Sequence, residues 1–264
     1  MTITKLITAM MVLTFTVVNA QSESIGTTYF ALAEKYKSNA KTDSAIVYYQ
    51  KAGLEFQAEK KTENFINSYN QVGVLLTRQD KYEEAKSFLN QALTSGLAYL
   101  SQDNLLISNT YIAFGVIYAA ENDFEQSLQF HTKALAIRLA KLGAFHADVA
   151  TSYGNIGNVH FRNKDYPKAI DAHLKALQIR EQLFGASSVE VIQSYNNLGN
   201  AYREKKEYET SLTYFEKAVQ NKIIELGPKH KDLAKLYLSI SNVYFLMNNT
   251  QQGNLYKTKA QELQ

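Results

Sequence analysis

Residues 153–185 read YGNIGNVHFRNKDYPKAIDAHLKALQIREQLFG, and residues 195–227, 42 positions on, read YNNLGNAYREKKEYETSLTYFEKAVQNKIIELG. The two segments share a tyrosine at the first position, a glycine at the fifth and an alanine at the twenty-fourth. The same phase extends through the chain. Tyr69, Tyr111, Tyr153, Tyr195 and Tyr237 are each 42 residues apart, with Tyr29 forty residues upstream of the first. A fixed period of this length marks an array of copies of one supersecondary unit.

Three columns of small residues keep step with the tyrosine. The first is Ala33, Gly73, Gly115, Gly157, Gly199 and Ser241. The second is Ala45, Ala85, Ser127, Ala169, Ser211 and Gly253, and the third is alanine throughout: Ala52, Ala92, Ala134, Ala176, Ala218 and Ala260. Apolar residues recur at three- and four-residue spacing, the period of an amphipathic helix. Each unit therefore reads as two antiparallel helices, with small residues where their axes approach most closely. Asp123 and Asp165 suit caps of the second helix, and Pro167 suits its first turn, where a missing N–H costs little. Gly143, Gly185 and Gly227 suit left-handed residues ending the second helices.

This grammar resembles the tetratricopeptide repeat. Tyr153, Ile156-Gly157, Ala169 and Ala176 carry the likeness in the fourth copy, and Tyr195, Leu198-Gly199, Tyr202, Phe215 and Ala218 carry it in the fifth. The period exceeds the usual 34 residues. With His146-Ala147-Asp148 and His230-Lys231-Asp232, it resembles the kinesin light chain subgroup. Tyrosine stands where the family's tryptophan is usual, and His160 replaces a tyrosine. The expected fold is all-α, a right-handed superhelical solenoid of six tetratricopeptide-type helical hairpins. The repeats are placed at about 26–65, 66–107, 108–149, 150–191, 192–233 and 234–264, with residues 21–26 as a short lead. In the last helix Leu255, Tyr256, Ala260 and Leu263 are expected to face inward, leaving a polar outer face that caps the array.

The amino terminus reads differently. An apolar run from Leu6 to Val18 follows Lys5 and precedes Val18-Asn19-Ala20, the pattern of a signal peptide cut after Ala20. Residues 1–20 are thus expected to be removed and 21–264 to be exported, periplasmic or secreted, without stable membrane insertion. A retained anchor is the alternative. The chain has no cysteine, so neither a disulfide nor a lipidated amino-terminal cysteine is available. A net charge of +3, one less without Lys5, is too balanced to argue for nucleic acid.

Nucleotide loops, zinc-protease motifs and serine or cysteine nucleophile motifs are all missing from the sequence, so no catalytic residue, metal or cofactor is expected. His131, His173 and His160 form the best metal candidate, but their columns normally hold core aromatics, which favours packed histidines.

The polar signal is stronger. Asn158, Asn200 and Asn242 stand 42 apart, one residue beyond the first small column. Asn155, Asn196 and Asn197 precede it, and Arg162 and Arg203 follow about a turn later. If first helices line the concave side, these residues form a groove wall. An amide both donates and accepts, which suits the backbone of an extended peptide, and arginine suits a carboxylate. A purely structural ladder is the competing interpretation. Relatives that grip chaperone tails use a lysine four residues before such an asparagine; here those positions are Gly154, Asn196 and Leu238. The expected function is a non-enzymatic interaction module for a peptide or partner helix. The alternatives are a sensory or regulatory input component of a signalling system, and a scaffold of an envelope assembly.

Overall fold

The computed structural model describes residues 24–263, which form twelve α-helices and, among these residues, no strand. The expected signal peptide lies outside the described residues. The helices are α1 (Ile25–Ser38), α2 (Thr42–Ala58), α3 (Thr62–Arg78), α4 (Tyr82–Tyr99), α5 (Leu105–Ala120) and α6 (Phe124–Leu142). They continue as α7 (Ala147–Arg162), α8 (Tyr166–Phe184), α9 (Val189–Glu204), α10 (Tyr208–Leu226), α11 (Leu233–Leu246) and α12 (Thr250–Gln261). Successive pairs form six hairpins, stacked as an all-α superhelical solenoid. The divisions at residues 66, 108, 150, 192 and 234 fall just inside first helices, not in the loops before them, because a period fixes length and leaves phase open. Gly26, expected in the lead, already belongs to α1, where a Cβ would meet the Phe56 ring at 2.7 Å.

The small columns explain the hairpin. All six alanines of the third column are at most 1% exposed. At the crossing of first and second small columns, a serine on one helix donates to the carbonyl of the glycine facing it. Ser127 Oγ bonds Gly115 O, Ser211 Oγ bonds Gly199 O, and Ser241 Oγ bonds Gly253 O, each at 2.7 Å. The last pair reverses which helix supplies the serine. A bulky residue on either side would separate the axes and lose the contact.

Tyrosines of the periodic column pack on an aromatic 19 residues later in the same hairpin: Tyr29 on Tyr48, Tyr69 on Phe88, Tyr111 on Phe130, Tyr195 on Tyr214 and Tyr237 on Tyr256. The fourth hairpin has Ala172 there and forms no such pair. The Tyr195 hydroxyl donates to Glu181 of the preceding hairpin, the polar partner expected of a half-apolar ring. Lys133, Lys175 and Lys217 each lie 5.7–5.8 Å from the ring centroid of Tyr111, Tyr153 and Tyr195, a cationic row that caps the aromatic one.

Helix ends depart from expectation. The left-handed residues that close helices in register belong to the first helices, at Ala40, Asp80, Asn122, Lys164, Lys206 and Asn248, with φ between 56° and 67°. The amide of the next residue reaches back five positions, as in Asp165 N to His160 O at 2.9 Å, which is the Schellman arrangement. Gly143, Gly185 and Gly227 do end second helices with positive φ, but their ψ values of 169°, 163° and 162° lie outside the left-handed helical well. That extended region is essentially open to glycine alone. Asp123 and Asp165 cap α6 and α8 as expected, and Pro167 sits in the first turn of α8. In the His-x-Asp segments His146 and His230 each accept, through Nδ1, the amide of the aspartate two residues on; His146 thereby caps α7, while the His230 bond lies in the turn before α11. Leu255 is a correction, 46% exposed where an inward position was expected, while Ala260 is fully buried.

First helices of neighbouring hairpins touch directly, α3 with α5, α5 with α7 and α9 with α11, whereas their second helices make no comparable contact. In a curved stack the inner elements converge, so the first helices form the concave wall.

Candidate functional site

The Asn-Arg ladder divides when placed on this wall. Asn155, Asn158 and Arg162 meet in one pocket of about 450 Å³ between α5 and α7, together with Val116, His131 and Phe161. Arg203 and Asn242 line a second, of about 420 Å³, between α9 and α11. Asn196, Asn197 and Asn200 line neither and are half-buried. The Asn200 amide donates to the Asn196 carbonyl in its own helix at 2.9 Å, so that side chain is turned to its own backbone.

Both arginines already have partners. Arg203 places Nε and Nη2 on Glu204 Oε1 at 3.1 and 2.9 Å, which occupies the fork expected to await a carboxylate. Arg162 donates to Asn122 Oδ1 at 3.1 Å and its guanidinium lies 5.6 Å from the Phe124 ring centroid.

A third pocket, about 390 Å³ between α3 and α5, contains none of the expected residues. Its walls include the amides of Asn67, Gln71 and Asn109, the apolar Val74, Ile112 and Val116, and the guanidinium of Arg138. Asn67 and Asn109 are 42 apart, as are Arg138 and Arg180, so the repeat register carried a signal for them. Asn70, also in this wall, is structural: its amide donates to Leu106 O and accepts from Thr110, tying α3 to α5.

Arg138 is only 6% exposed. It donates through Nη1 to Asp148 O and Ser152 Oγ, both at 3.0 Å, and through Nη2 to Asn109 Oδ1 at 2.9 Å. Its Nε has no acceptor among the described residues. Burial pulls its affinity for the proton below the usual value, and the Asp148 charge opposes that pull.

The histidines do not converge on one centre. His131 packs under Gly115 and His173 under Gly157, each ring within 2.7 Å of where a glycine Cβ would stand. Burial, then the charge of Arg138 or Arg180, lowers each to about 4. Among the described residues no cluster of three or more His, Asp or Glu side chains has metal-binding geometry, and no helix is long and apolar enough to cross a membrane.

A continuous stack of helical hairpins with a polar, pocketed inner wall is a repeat solenoid of the kind that presents a surface to other proteins. The chain belongs to the tetratricopeptide repeat family, whose profile matches residues 64–140, 148–224 and 193–262. No curated protein matches the sequence. The fold is similar to that of BtubC (BKLC) from P. vanneervenii, with 18% identity, 85% of this chain and 88% of that one covered, and a TM-score of 0.70. It is also similar to a putative kinesin light chain with nearly identical repeats from Podosopora anserina (13% identity, 78% and 99% covered, TM-score 0.65). A third likeness is to Pseudomonas aeruginosa pilF (14% identity, 90% and 91% covered, TM-score 0.63). At these identities the likeness concerns the fold.

Proposed function

We propose that this chain is an exported, non-enzymatic interaction module whose concave wall holds an extended peptide segment of a partner protein. The observation that carries the reading is the row of pockets between neighbouring first helices, where amides alternate with apolar side chains. Amides can pair with the main chain of a bound segment, and the apolar floor can take its side chains. Export rests on the apolar run from Leu6 to Val18 and the Val18-Asn19-Ala20 sequence after it.

The test is selection of a random-peptide phage library on the full chain, followed by calorimetry with the selected peptides. Replacing Gln71 and Asn158 by alanine together should weaken binding about tenfold or more, while Gln129→Ala on the outer helix α6 should not. Equal binding by all three proteins would overturn the groove reading. For export, the amino-terminal sequence of the protein recovered from its native host should begin at Gln21; a retained Met1 would overturn that part.

A further inference from the structure

We propose that the pocket beside Arg138 binds the carboxylate of an acidic side chain, aspartate or glutamate, carried by an extended peptide. This rests on the groove reading and adds to it the chemistry of the ligand.

Arg138 is a buried cation with no carboxylate hydrogen-bonded to it; the Asp148 charge acts on it only from a distance. Its three hydrogen bonds end on a backbone carbonyl, a serine hydroxyl and an asparagine amide, all neutral. None of the ion pairs among the described residues includes it. Burying a charge opposite neutral dipoles alone is costly, and removal of one partner from a buried pair is more so. A guanidinium has five N–H donors, so Nε–H and one Nη2 hydrogen remain unused. A carboxylate supplies both the missing acceptor and a directly paired charge.

The approach is open. Asn109, whose Oδ1 sits on Nη2, is itself exposed and lines the pocket mouth with Asn67 and Gln71. An incoming carboxylate reaches the guanidinium by displacing this neutral amide oxygen. Arg78 also lines this pocket and is exposed, adding positive charge at its edge, whereas Arg203 of the wall is already held by Glu204.

Arg180 favours a side-chain acid over a terminal carboxylate. One repeat further on, it donates to Ser194 Oγ at 2.8 Å and Glu190 O at 3.3 Å, again both neutral. Its Nη2 lies 3.6 Å from the place a Gly154 Cβ would occupy, where the preceding hairpin has Ile112, and the residue is half-buried. Two such arginines in register suit acids spaced along a running chain. A single chain end could satisfy only one.

Peptides selected on the full chain are expected to share an aspartate or glutamate at a recurring position. Synthesised with an amidated end, they should bind as well as with a free one, and changing the shared acid to its amide should lower affinity about tenfold or more by calorimetry. Arg138→Gln should lower binding of the acidic peptide but not of its amide variant. Asn109→Asp places an internal carboxylate on the guanidinium; it should raise the melting temperature and erase the preference for acid. Selected peptides without a shared acid, or acidic peptides indifferent to Arg138→Gln and Asn109→Asp, would overturn this assignment and leave the groove reading intact. Dependence on a free terminus would overturn the side-chain source. Failure to select any peptide would overturn both.

Discussion

The imidazole of His131 lies against Gly115 so closely that a Cβ on the glycine would stand 2.6 Å from Cε1. The same relation recurs in the preceding hairpin and in the next two, with leucine, histidine or phenylalanine as the filling side chain. Leu89 fills it beneath Gly73, His173 beneath Gly157 and Phe215 beneath Gly199, all within 2.6–2.7 Å. Glycine in the first helix is therefore a socket for one large side chain of the second.

Gly115→Ala and Gly157→Ala should each destabilise the array by about 1–3 kcal/mol, because the ring below is buried and has no free direction in which to move. Urea denaturation followed by circular dichroism measures this. Unchanged midpoints would show that the second helix can shift outward without loss.

His131→Phe should raise the melting temperature. His131 is 1% exposed and its Nδ1 has no partner, whereas Phe215 fills the equivalent socket without a polar atom to satisfy. Removing an unsatisfied buried polar group is worth about 1 kcal/mol or more. A lower melting temperature would mean that the imidazole has an acceptor role in solution.

Acid should weaken the fold between about pH 6.5 and pH 4. His131 and His173 stay neutral in the folded chain down to about 4, while the ordinary value is 6.5. The unfolded chain therefore takes up protons first as pH falls, and stability present above 6.5 is progressively lost toward 4. The double variant His131→Phe, His173→Phe should flatten this part of the profile of melting temperature against pH. A profile as steep as that of the parent would assign the acid sensitivity to carboxylates instead.

Backbone conformation gives opposite outcomes at two kinds of turn. Lys164 and Lys206 hold φ of 60° and 67°, so glycine at either should stabilise by a few tenths to about 1 kcal/mol. Gly185 holds φ 78° with ψ 163°, so Gly185→Ala should cost about 1–3 kcal/mol although nothing lies within 4 Å of its Cβ position. Differential scanning calorimetry of the three variants checks both signs.

The repeat register alone determined the hairpins, their number and the small columns, because a two-helix unit that buries nothing by itself must repeat its contact residues at every junction. The alanine column and the capping Asp123 and Asp165 were legible for that reason. The left-handed ends of the first helices were not, since Ala40, Lys164 and Lys206 bear no local mark of positive φ; the packed hairpin imposes it. The groove was legible only in outline. Asn155, Asn158 and Arg162 do meet, but Asn200 turns to its own helix and Arg203 to Glu204, choices made by neighbours that spacing does not specify. Arg138 and Arg180 carried the period in plain view, yet a second-helix residue reaches the inner wall only once the curvature of the stack fixes which side chains converge. Tertiary structure alone decided that one of these guanidinium groups is buried opposite neutral oxygens, because burial is a property of the assembled wall and not of any single repeat.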